Sequence, residues 1–471
     1  MPPHEQLLAE LRAITGSAHV LTDPRDMAGY LSEPRDLYHD GQAICVARPG
    51  SREEVSAILA LCQSTRTAVV PQGGNTGLVG GQTPLADGAS IVLSLTRMNA
   101  LRELDLVSNT MTVEAGMTLL QAQETASRAG RLFPLSLASE GSCTIGGNLA
   151  TNAGGTAVIA FGTARDLVNG LEVVLADGRV LSNLSKLRKD NTGYDLKHLF
   201  MGSEGTLGII TAAVLKLFPK PQAVETAFVA LASPDAALDL LTRAKAHFGN
   251  AIRAFELLPR IAVEIVLRHR DSQRDPFGEP HAWYVLLELT SQSDQGLDEL
   301  LFAFLESAAE DGLIEDATVA TSLDQAKKLW DLRESLPDLA KLEGGSIKHD
   351  ISVPVASVPA FIAESTRAVL EAIPGARPVP FGHVGDGNIH YNVSQPIGAD
   401  KAAFLARWDE LNTLVHGIAA KYEGSISAEH GIGQLKRHLL AEVKDPVALE
   451  TMRAIKTALD PLGILNPGKV L

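Results

Sequence analysis

Pro71-Gln-Gly-Gly-Asn-Thr-Gly-Leu-Val-Gly-Gly81 places five glycines in eleven residues, directly after the apolar pair Val69-Val70. A second run of the same kind is Ser139-Glu-Gly-Ser-Cys-Thr-Ile-Gly-Gly-Asn-Leu-Ala-Thr-Asn-Ala-Gly-Gly155, again with five glycines. Glycine lets successive backbone N–H groups turn inward, and such concavities bind anions. The interleaved Asn75, Thr76, Ser142, Thr144, Asn148 and Asn152 add side-chain hydrogen-bonding groups. Either loop alone reads equally well as a tight structural turn; two loops together suit a diphosphate better than a single phosphate. Neither is a GxGxxG fingerprint opening a helix, and no GxxxxGK[ST] occurs. A doubly wound dinucleotide fold and a nucleotide kinase therefore have no support.

Working outward, the second informative stretch is His383-Val-Gly-Asp-Gly-Asn-Ile-His390, followed further on by Glu429-His430-Gly-Ile-Gly433. In a straight strand His383 and His390 would point to opposite faces, because side chains alternate with period two. Gly385, Asp386, Gly387 and Asn388 are turn formers, and a turn there makes the two imidazoles converge. With Glu429 they supply the two-histidine, one-carboxylate set of an open catalytic zinc-type site. His430 would then stand beside the ion with its ring available for proton transfer. The bland alternative is a pair of surface histidines near a turn and an incidental Glu-His dipeptide.

The chain has 471 residues, which suits two or three domains. Its formal charge of −15 has no basic block to offset it, which argues against a nucleic-acid partner. Cys45, Cys62 and Cys143 form no CxxC pair, so neither a disulfide framework nor a cysteine zinc site is indicated. The N-terminus lacks a basic segment followed by an apolar core, and no apolar run approaches the roughly 20 residues that span a bilayer. The expected setting is a reducing, bacterial-type cytoplasmic one.

Pattern predicts helices over residues 4–15, from a Ser51–Glu54 capping box to about Ser64, and over 118–129 with a stop at Gly130. Strands are expected over 43–47, at Val69-Val70, and over Ile91–Leu95, Thr110–Glu114, Val168–Leu175 and Gly208–Leu217, with a turn at Asp177-Gly178. Pro219-Lys-Pro221 marks a domain boundary. Beyond it, strands at Thr226–Leu231 and Ala282–Leu289 alternate with helices at 234–247, 296–309 and 399–420. That is the pattern of an α+β domain in which helices cover an antiparallel sheet. Another helix falls within 445–471.

These residues resemble the FAD-binding domain of the vanillyl-alcohol-oxidase-type flavoproteins. The two glycine loops, Phe161-Gly-Thr-Ala-Arg165 and Gly202-Ser-Glu-Gly-Thr-Leu-Gly-Ile209 occur in that family's order. The segment with His383–His390, Glu429-His430 and Asn466-Pro-Gly-Lys469 resembles the FAD-linked D-2-hydroxyacid dehydrogenases, most of all the D-2-hydroxyglutarate dehydrogenases. The resemblance implies an α+β chain in three parts: a two-subdomain FAD-binding domain over 1–220, an α+β substrate domain with an antiparallel sheet over 221–420, and a C-terminal segment over 421–471 that completes the site. It implies that Pro71, Gly73, Gly74, Asn75, Thr76 and Gly77, with Ser139, Ser142, Thr144, Gly147, Asn148, Thr151 and Asn152, hold the FAD diphosphate and part of the isoalloxazine. Arg165 and Ile209 would line the adenine side, and Asn466 would return to the flavin. Some relatives tether FAD through a histidine in the first loop; residues 71–81 contain neither His nor Cys, so non-covalent FAD is expected.

The resemblance further implies that His383, His390 and Glu429 bind a divalent metal, zinc being the first expectation. Arg333 and Lys348 match positions that grip substrate carboxylates, and Asn392 an adjacent contact. Pro337 departs from the pattern, standing where hydroxyglutarate relatives often carry a threonine hydroxyl. The implied reaction is oxidation of a D-2-hydroxy acid to the 2-oxo acid, D-2-hydroxyglutarate first, with D-lactate or D-malate as alternatives. A metal ion would acidify the hydroxyl, His430 would take its proton, and FAD would take the hydride. Electrons would pass on to an electron-transfer flavoprotein, a quinone or a cytochrome, and a homodimer is the base-rate expectation. The rival classes are a flavin-free metal-dependent hydrolase or lyase, and a nucleotide sensor with no use for a ligand triad.

Overall fold

The computed structural model describes residues 3–35 and 37–471. The chain divides into two compact units: Met1–Gly154 with Thr163–Pro219 and Glu429–Leu471, and Gly155–Gly162 with Lys220–Ala428. The cut at Pro219–Lys220 falls within the Pro219-Lys-Pro221 stretch. The last stretch of the first unit begins at Glu429, and residues 155–162 go with the second unit.

Among the described residues the first unit carries two larger sheets. In one, the strands run in the order Val20–Leu21, Val46–Ala47, Ser90–Ser94, Ala68–Gln72, the last three parallel. The other is antiparallel, in the order Leu101–Asp105, Thr110–Glu114, Ile209–Lys216, Val168–Val174, Val180–Asn183. Helix Arg52–Thr65 buries Val55, Ile58, Leu59 and Cys62, the i, i+3, i+4, i+7 stripe of a helix packed on a sheet. Its capping box is half formed. The Ser51 hydroxyl accepts from the Glu54 amide at 3.2 Å, but the Glu54 carboxylate accepts from Gly50, one residue early. Helix Leu119–Arg128 has the reciprocal box between Thr118 and Gln121, and Gly130 follows with φ 68°. The C-terminal segment closes on the first sheet: the Val69 amide donates to the Ile464 carbonyl and the Asn466 amide to the Val69 carbonyl, both at 2.8 Å.

The second unit is built on a seven-stranded antiparallel sheet in the order Asp316–Val319, Ala223–Leu231, Trp283–Ser291, Ile252–Pro259, Arg377–His383, Asn388–Ser394, Ser346–Ser352. One face holds the larger core, where Phe255, Leu257, Leu287, Ile347, Ile351, Ile389, Tyr391 and Val393 meet helices Pro234–Phe248, Leu297–Glu310, Val358–Ala372 and Trp408–Lys421. The opposite face packs Phe228, Leu258, Tyr284, Leu286, Val379 and Phe381 against helices Arg260–His269 and Leu323–Glu334.

The expected helix over 399–420 is two helices, Lys401–Leu405 and Trp408–Lys421. No proline or glycine marks the break; at it, the Arg407 guanidinium reaches the Ala372 carbonyl at 3.0 Å. The strand expected over 43–47 is confined to Val46–Ala47. The C-terminal helix is Pro446–Leu459, capped by Asp445, and a short helix Arg437–Val443 precedes it. Among the described residues no helix is long and apolar enough to cross a membrane, and all three cysteines are free and buried.

Candidate active site

In the first unit the two glycine loops abut. A Cβ on Gly73 would collide with the Thr144 hydroxyl, and one on Gly74 with the Ser142 carbonyl oxygen. Pro71 lies one residue before the end of strand Ala68–Gln72, and Thr76 and Gly77 continue the loop, where Gln82 packs against Gly77. From the second run, Ser139 accepts the amides of Ser142 and Cys143. Thr144 caps helix Ile145–Ala150, which carries Gly147 and Asn148 and ends at Thr151.

Several side chains expected to contact a ligand spend their donors or acceptors on the protein. Asn75, at φ 55°, donates its Nδ2 to the carbonyls of Gly29 and Ser32 at 3.0 and 2.8 Å. Asn152 accepts from the Thr163 hydroxyl and the Arg165 amide, each at 3.0 Å. Asn466 donates to the carbonyls of Gly81 and Glu204 at 2.9 and 2.7 Å. Arg165 donates to the Met201 carbonyl at 3.0 Å, and Ile209 is a buried strand residue. Asn75 Oδ1, Arg165 Nε and Asn466 Oδ1 are nonetheless buried with no partner in the protein. Buried polar atoms are ordinarily satisfied, so a polar cofactor fits these loops.

Glu204 was not expected, and it ties the unit together. Its backbone adopts φ 52° in the sequence Gly-Ser-Glu-Gly, and its amide donates to Ala150 at 2.8 Å. Its buried carboxylate accepts the amides of Ile432 and Gly433 at 2.6 and 2.8 Å, just after Glu429-His430. Burial pushes this carboxyl's pKa up, against the pull of those amides and of Lys436 and Lys469. Burial in turn lowers the Lys469 ammonium to about 8. Gly431 cannot be larger, because a Cβ there would stand 2.7 Å from Glu204 Oε1.

In the second unit, directly opposed residues of antiparallel strands share a face. The register pairs Lys348 with Asn392, Asp350 with His390, Phe381 with His390, and Glu256 with His383. All of these lie on the face opposite the larger core. The turn between the strands does bring His383 and His390 together, with ring centroids 5.4 Å apart. His383 Nδ1 lies 2.6 Å from Glu256 Oε1, and Arg333 Nε donates to Glu256 Oε2 at 2.7 Å. Glu256 is fully buried. Burial alone would raise its pKa, but the charges of His383 and Arg333 and their hydrogen bonds hold it down to about 2. The Arg333 guanidinium lies over the Phe381 ring, 4.8 Å from its centre. Lys348 Nζ donates to the Pro337 carbonyl at 3.5 Å, so the residue that lacks a hydroxyl still sets this ammonium.

Asp350 accepts from Asn388 Nδ2 at 3.1 Å and lies 3.9 Å from His390 Nδ1. The Ala428 amide donates to the Asp350 carbonyl at 3.3 Å, and the next two residues in the chain are Glu429 and His430. Asp350 and His390 each offer a metal-ligand atom in this unit, as Glu429 and His430 do in the first unit. Two of the three expected ligands, His390 and Glu429, are among these residues. The third, His383, lies next to His390 and is engaged with Glu256 through Nδ1. The set is oxygen and imidazole nitrogen without thiolate, which fits zinc, manganese or cobalt.

Asp350 and Glu256 were missed by sequence reasoning, although each had a signal. Ser346-Ile-Lys-His-Asp-Ile-Ser352 alternates in step with Asn388-Ile-His-Tyr-Asn-Val-Ser394. In Phe255-Glu-Leu-Leu258 an acid interrupts an apolar strand.

Residues 43–183 match the FAD binding domain model, and residues 220–470 match the model "FAD linked oxidases, C-terminal domain". D-2-hydroxyglutarate dehydrogenase, mitochondrial, of Arabidopsis thaliana is 40% identical over 98% of this chain and 80% of its own length. D-2-hydroxyglutarate dehydrogenase of Xanthomonas citri pv. viticola is 38% identical over 96% of this chain and 97% of its own. A D-2-hydroxyglutarate–pyruvate transhydrogenase of Saccharomyces cerevisiae is 36% identical over 98% and 94%. Among solved structures, p-cresol methylhydroxylase shares the fold at TM-score 0.78 and 17% identity, over 99% of this chain and 96% of its own. 4-Ethylphenol oxidase from Gulosibacter chungangensis does so at TM-score 0.75 and 19% identity, over 99% and 97%. The chain belongs to the FAD-linked oxidase family, with the vanillyl-alcohol-oxidase-type fold, and is an FAD-dependent oxidoreductase.

The close packing of the two loops can be tested through Gly74. Gly74→Ala forces the loops apart, at a cost of about 1–3 kcal/mol for an overpacked site. The purified variant is expected to show a lower ratio of flavin to protein absorbance and a lower melting temperature. Wild-type values for both would contradict the packing argument.

Proposed function

We propose that this chain oxidises D-2-hydroxyglutarate to 2-oxoglutarate, with non-covalent FAD as hydride acceptor and a divalent metal, zinc first, held by His390, Glu429 and His383. The observation that carries the reading is the single sheet face on which Glu256, His383, His390, Asp350, Asn392 and Lys348 alternate with core residues, with Arg333 bound to Glu256 beside it. Support also comes from relatives that bear the name D-2-hydroxyglutarate dehydrogenase, matched over 80% and 97% of their own length.

When bound, FAD supplies a two-electron acceptor, and a divalent ion supplies a charge that lowers a hydroxyl pKa. His390 and Glu429 would hold the ion, together with His383 through Nε2, because its Nδ1 is engaged by Glu256. Asp350 accepts a hydrogen bond from Asn388 at the start of the strand that carries His390. His430 takes the hydroxyl proton of the substrate, and its position is set two and three residues downstream, where Glu204 grips Ile432 and Gly433. Arg333 offers its terminal nitrogens to the far carboxylate of a diacid, since its Nε is spent on Glu256 and its plane rests on Phe381. Lys348, set by the Pro337 carbonyl, gives that carboxylate a second positive charge. Electrons then pass to an electron-transfer flavoprotein, a quinone or a cytochrome.

Non-covalent FAD is supported by the lack of a His or Cys attachment point in residues 71–81. Acid precipitation should carry the yellow colour into the supernatant; colour retained in the pellet would contradict the proposal.

Removal of the metal should abolish turnover and leave the flavin in place. Zinc, manganese or cobalt should then restore activity, and His390→Ala should lose metal and activity together. Full activity in a chelator-treated, metal-free preparation would end the metal reading.

Arg333 decides the substrate class. Losing a hydrogen bond to a charged group costs about 1.5–3 kcal/mol, roughly 10- to 150-fold. Arg333→Ala also strips a partner from Glu256, so the informative quantity is a ratio. The ratio of kcat/KM for D-2-hydroxyglutarate to that for D-lactate should fall by about 10- to 150-fold. A wild-type preference for D-lactate, or an equal loss on both acids, would point instead to a D-lactate dehydrogenase.

A further inference from the structure

Glu256 does more than fill the buried end of a strand. It is a carboxylate on strand Ile252–Pro259 with no exposure, and each of its oxygens has one partner: His383 Nδ1 at 2.6 Å and Arg333 Nε at 2.7 Å. An arginine has donors and no acceptor, and an ionised carboxylate has acceptors and no donor. Arg333 therefore holds Glu256 as the acceptor-only carboxylate, and Glu256 in turn requires the His383 proton to sit on Nδ1. A neutral imidazole with its proton on Nδ1 keeps its lone pair on Nε2, the nitrogen that can meet a cation. The hydrogen bond made by one ring nitrogen decides which role the other takes.

We propose that Glu256 is a positioning residue that fixes His383 in the Nδ1–H tautomer and so couples the metal ligand to the carboxylate-binding Arg333. The proposal rests on the reading of His383 as a ligand given above. It goes beyond that reading by assigning metal affinity and substrate-carboxylate recognition to one shared anion.

Glu256→Gln is the informative change, because it keeps the shape and removes one acceptor. A glutamine amide has one oxygen and one NH2 group. Its oxygen must face Arg333 Nε, which can only donate. Its NH2 then faces His383 Nδ1, which can accommodate it only by accepting. The imidazole proton is driven to Nε2, and the metal loses that lone pair. Support for a metal-ligating histidine of this kind is typically worth about 10- to 100-fold in metal affinity.

The test uses the FAD-loaded enzyme with nitrogen-15-labelled histidine, stripped of metal and examined at a pH where the imidazoles are neutral. The His383 signals are assigned by their loss in His383→Gln. In the wild type, Nδ1 should give the protonated, pyrrole-type resonance and Nε2 the unprotonated one; in Glu256→Gln the two should exchange. In parallel, zinc competition against a chromogenic chelator should show roughly 10- to 100-fold weaker binding to Glu256→Gln, with flavin content unchanged. A wild-type His383 protonated on Nε2 overturns the proposal, whether or not the variant folds. Equal zinc affinity in wild type and variant overturns it while leaving the metal site intact. A wild-type enzyme that binds no zinc, manganese or cobalt overturns the ligand reading instead, and the resonance assignment still judges the tautomer.

Discussion

Period-two alternation along the strands of the second unit is the constraint on which the site depends. Each strand that supplies a functional side chain also supplies a core side chain one residue away. Ile347 and Ile351 enter the core while Lys348 and Asp350 face the other way, and Ile389, Tyr391 and Val393 do the same around His390 and Asn392. The apolar face therefore fixes the register, because a slip of one residue would turn every charged group into the larger core and its apolar residues onto the opposite face. The positions of the site residues follow from packing on the side of the sheet that does no chemistry. Glu256 and Arg333 show the cost of this arrangement. A carboxylate with no exposure is tolerable only because a guanidinium and an imidazole both donate to it, and removal of either leaves a buried charge short of a partner.

The first unit obeys a different constraint, close approach of backbone to backbone. Gly73 and Gly74 are glycines because Thr144 and Ser142 occupy the space a side chain would need. Glu204 then links three distant stretches: Ala150 through its amide, Asn466 through its carbonyl, and the Ile432-Gly433 turn through its carboxylate. The residues following His430 are thus held by the same residue that accepts the C-terminal asparagine.

Much of this was legible in the sequence, for reasons that can be named. Glycine density marked the loops, since few other features require so little side-chain volume. The turn formers between His383 and His390 marked the hairpin that joins them. Arg333, Lys348 and Asn392 were reached only through family resemblance. What escaped was what tertiary partners decide. Asn75, Asn152 and Asn466 read as ligand-binding amides, but the largely backbone partners that orient them are ones no local pattern identifies. Glu204 was quoted within its motif without a role, because its partners lie more than two hundred positions away. Asp350 and Glu256 stood in strands whose alternation was visible but whose pairing was not, and pairing is what sets them beside the histidines.

In the proposed function, the hydroxyl end of a D-2-hydroxy diacid falls to His390 and His430 and its far carboxylate to Arg333 and Lys348. A crystal structure of the oxidised, zinc-loaded enzyme with 2-oxoglutarate tests this most directly. The expected density puts the 2-oxo acid end against His390 and His430 and the distal carboxylate against the terminal nitrogens of Arg333. Product bound elsewhere, or with its distal carboxylate turned away from Arg333, would contradict the account.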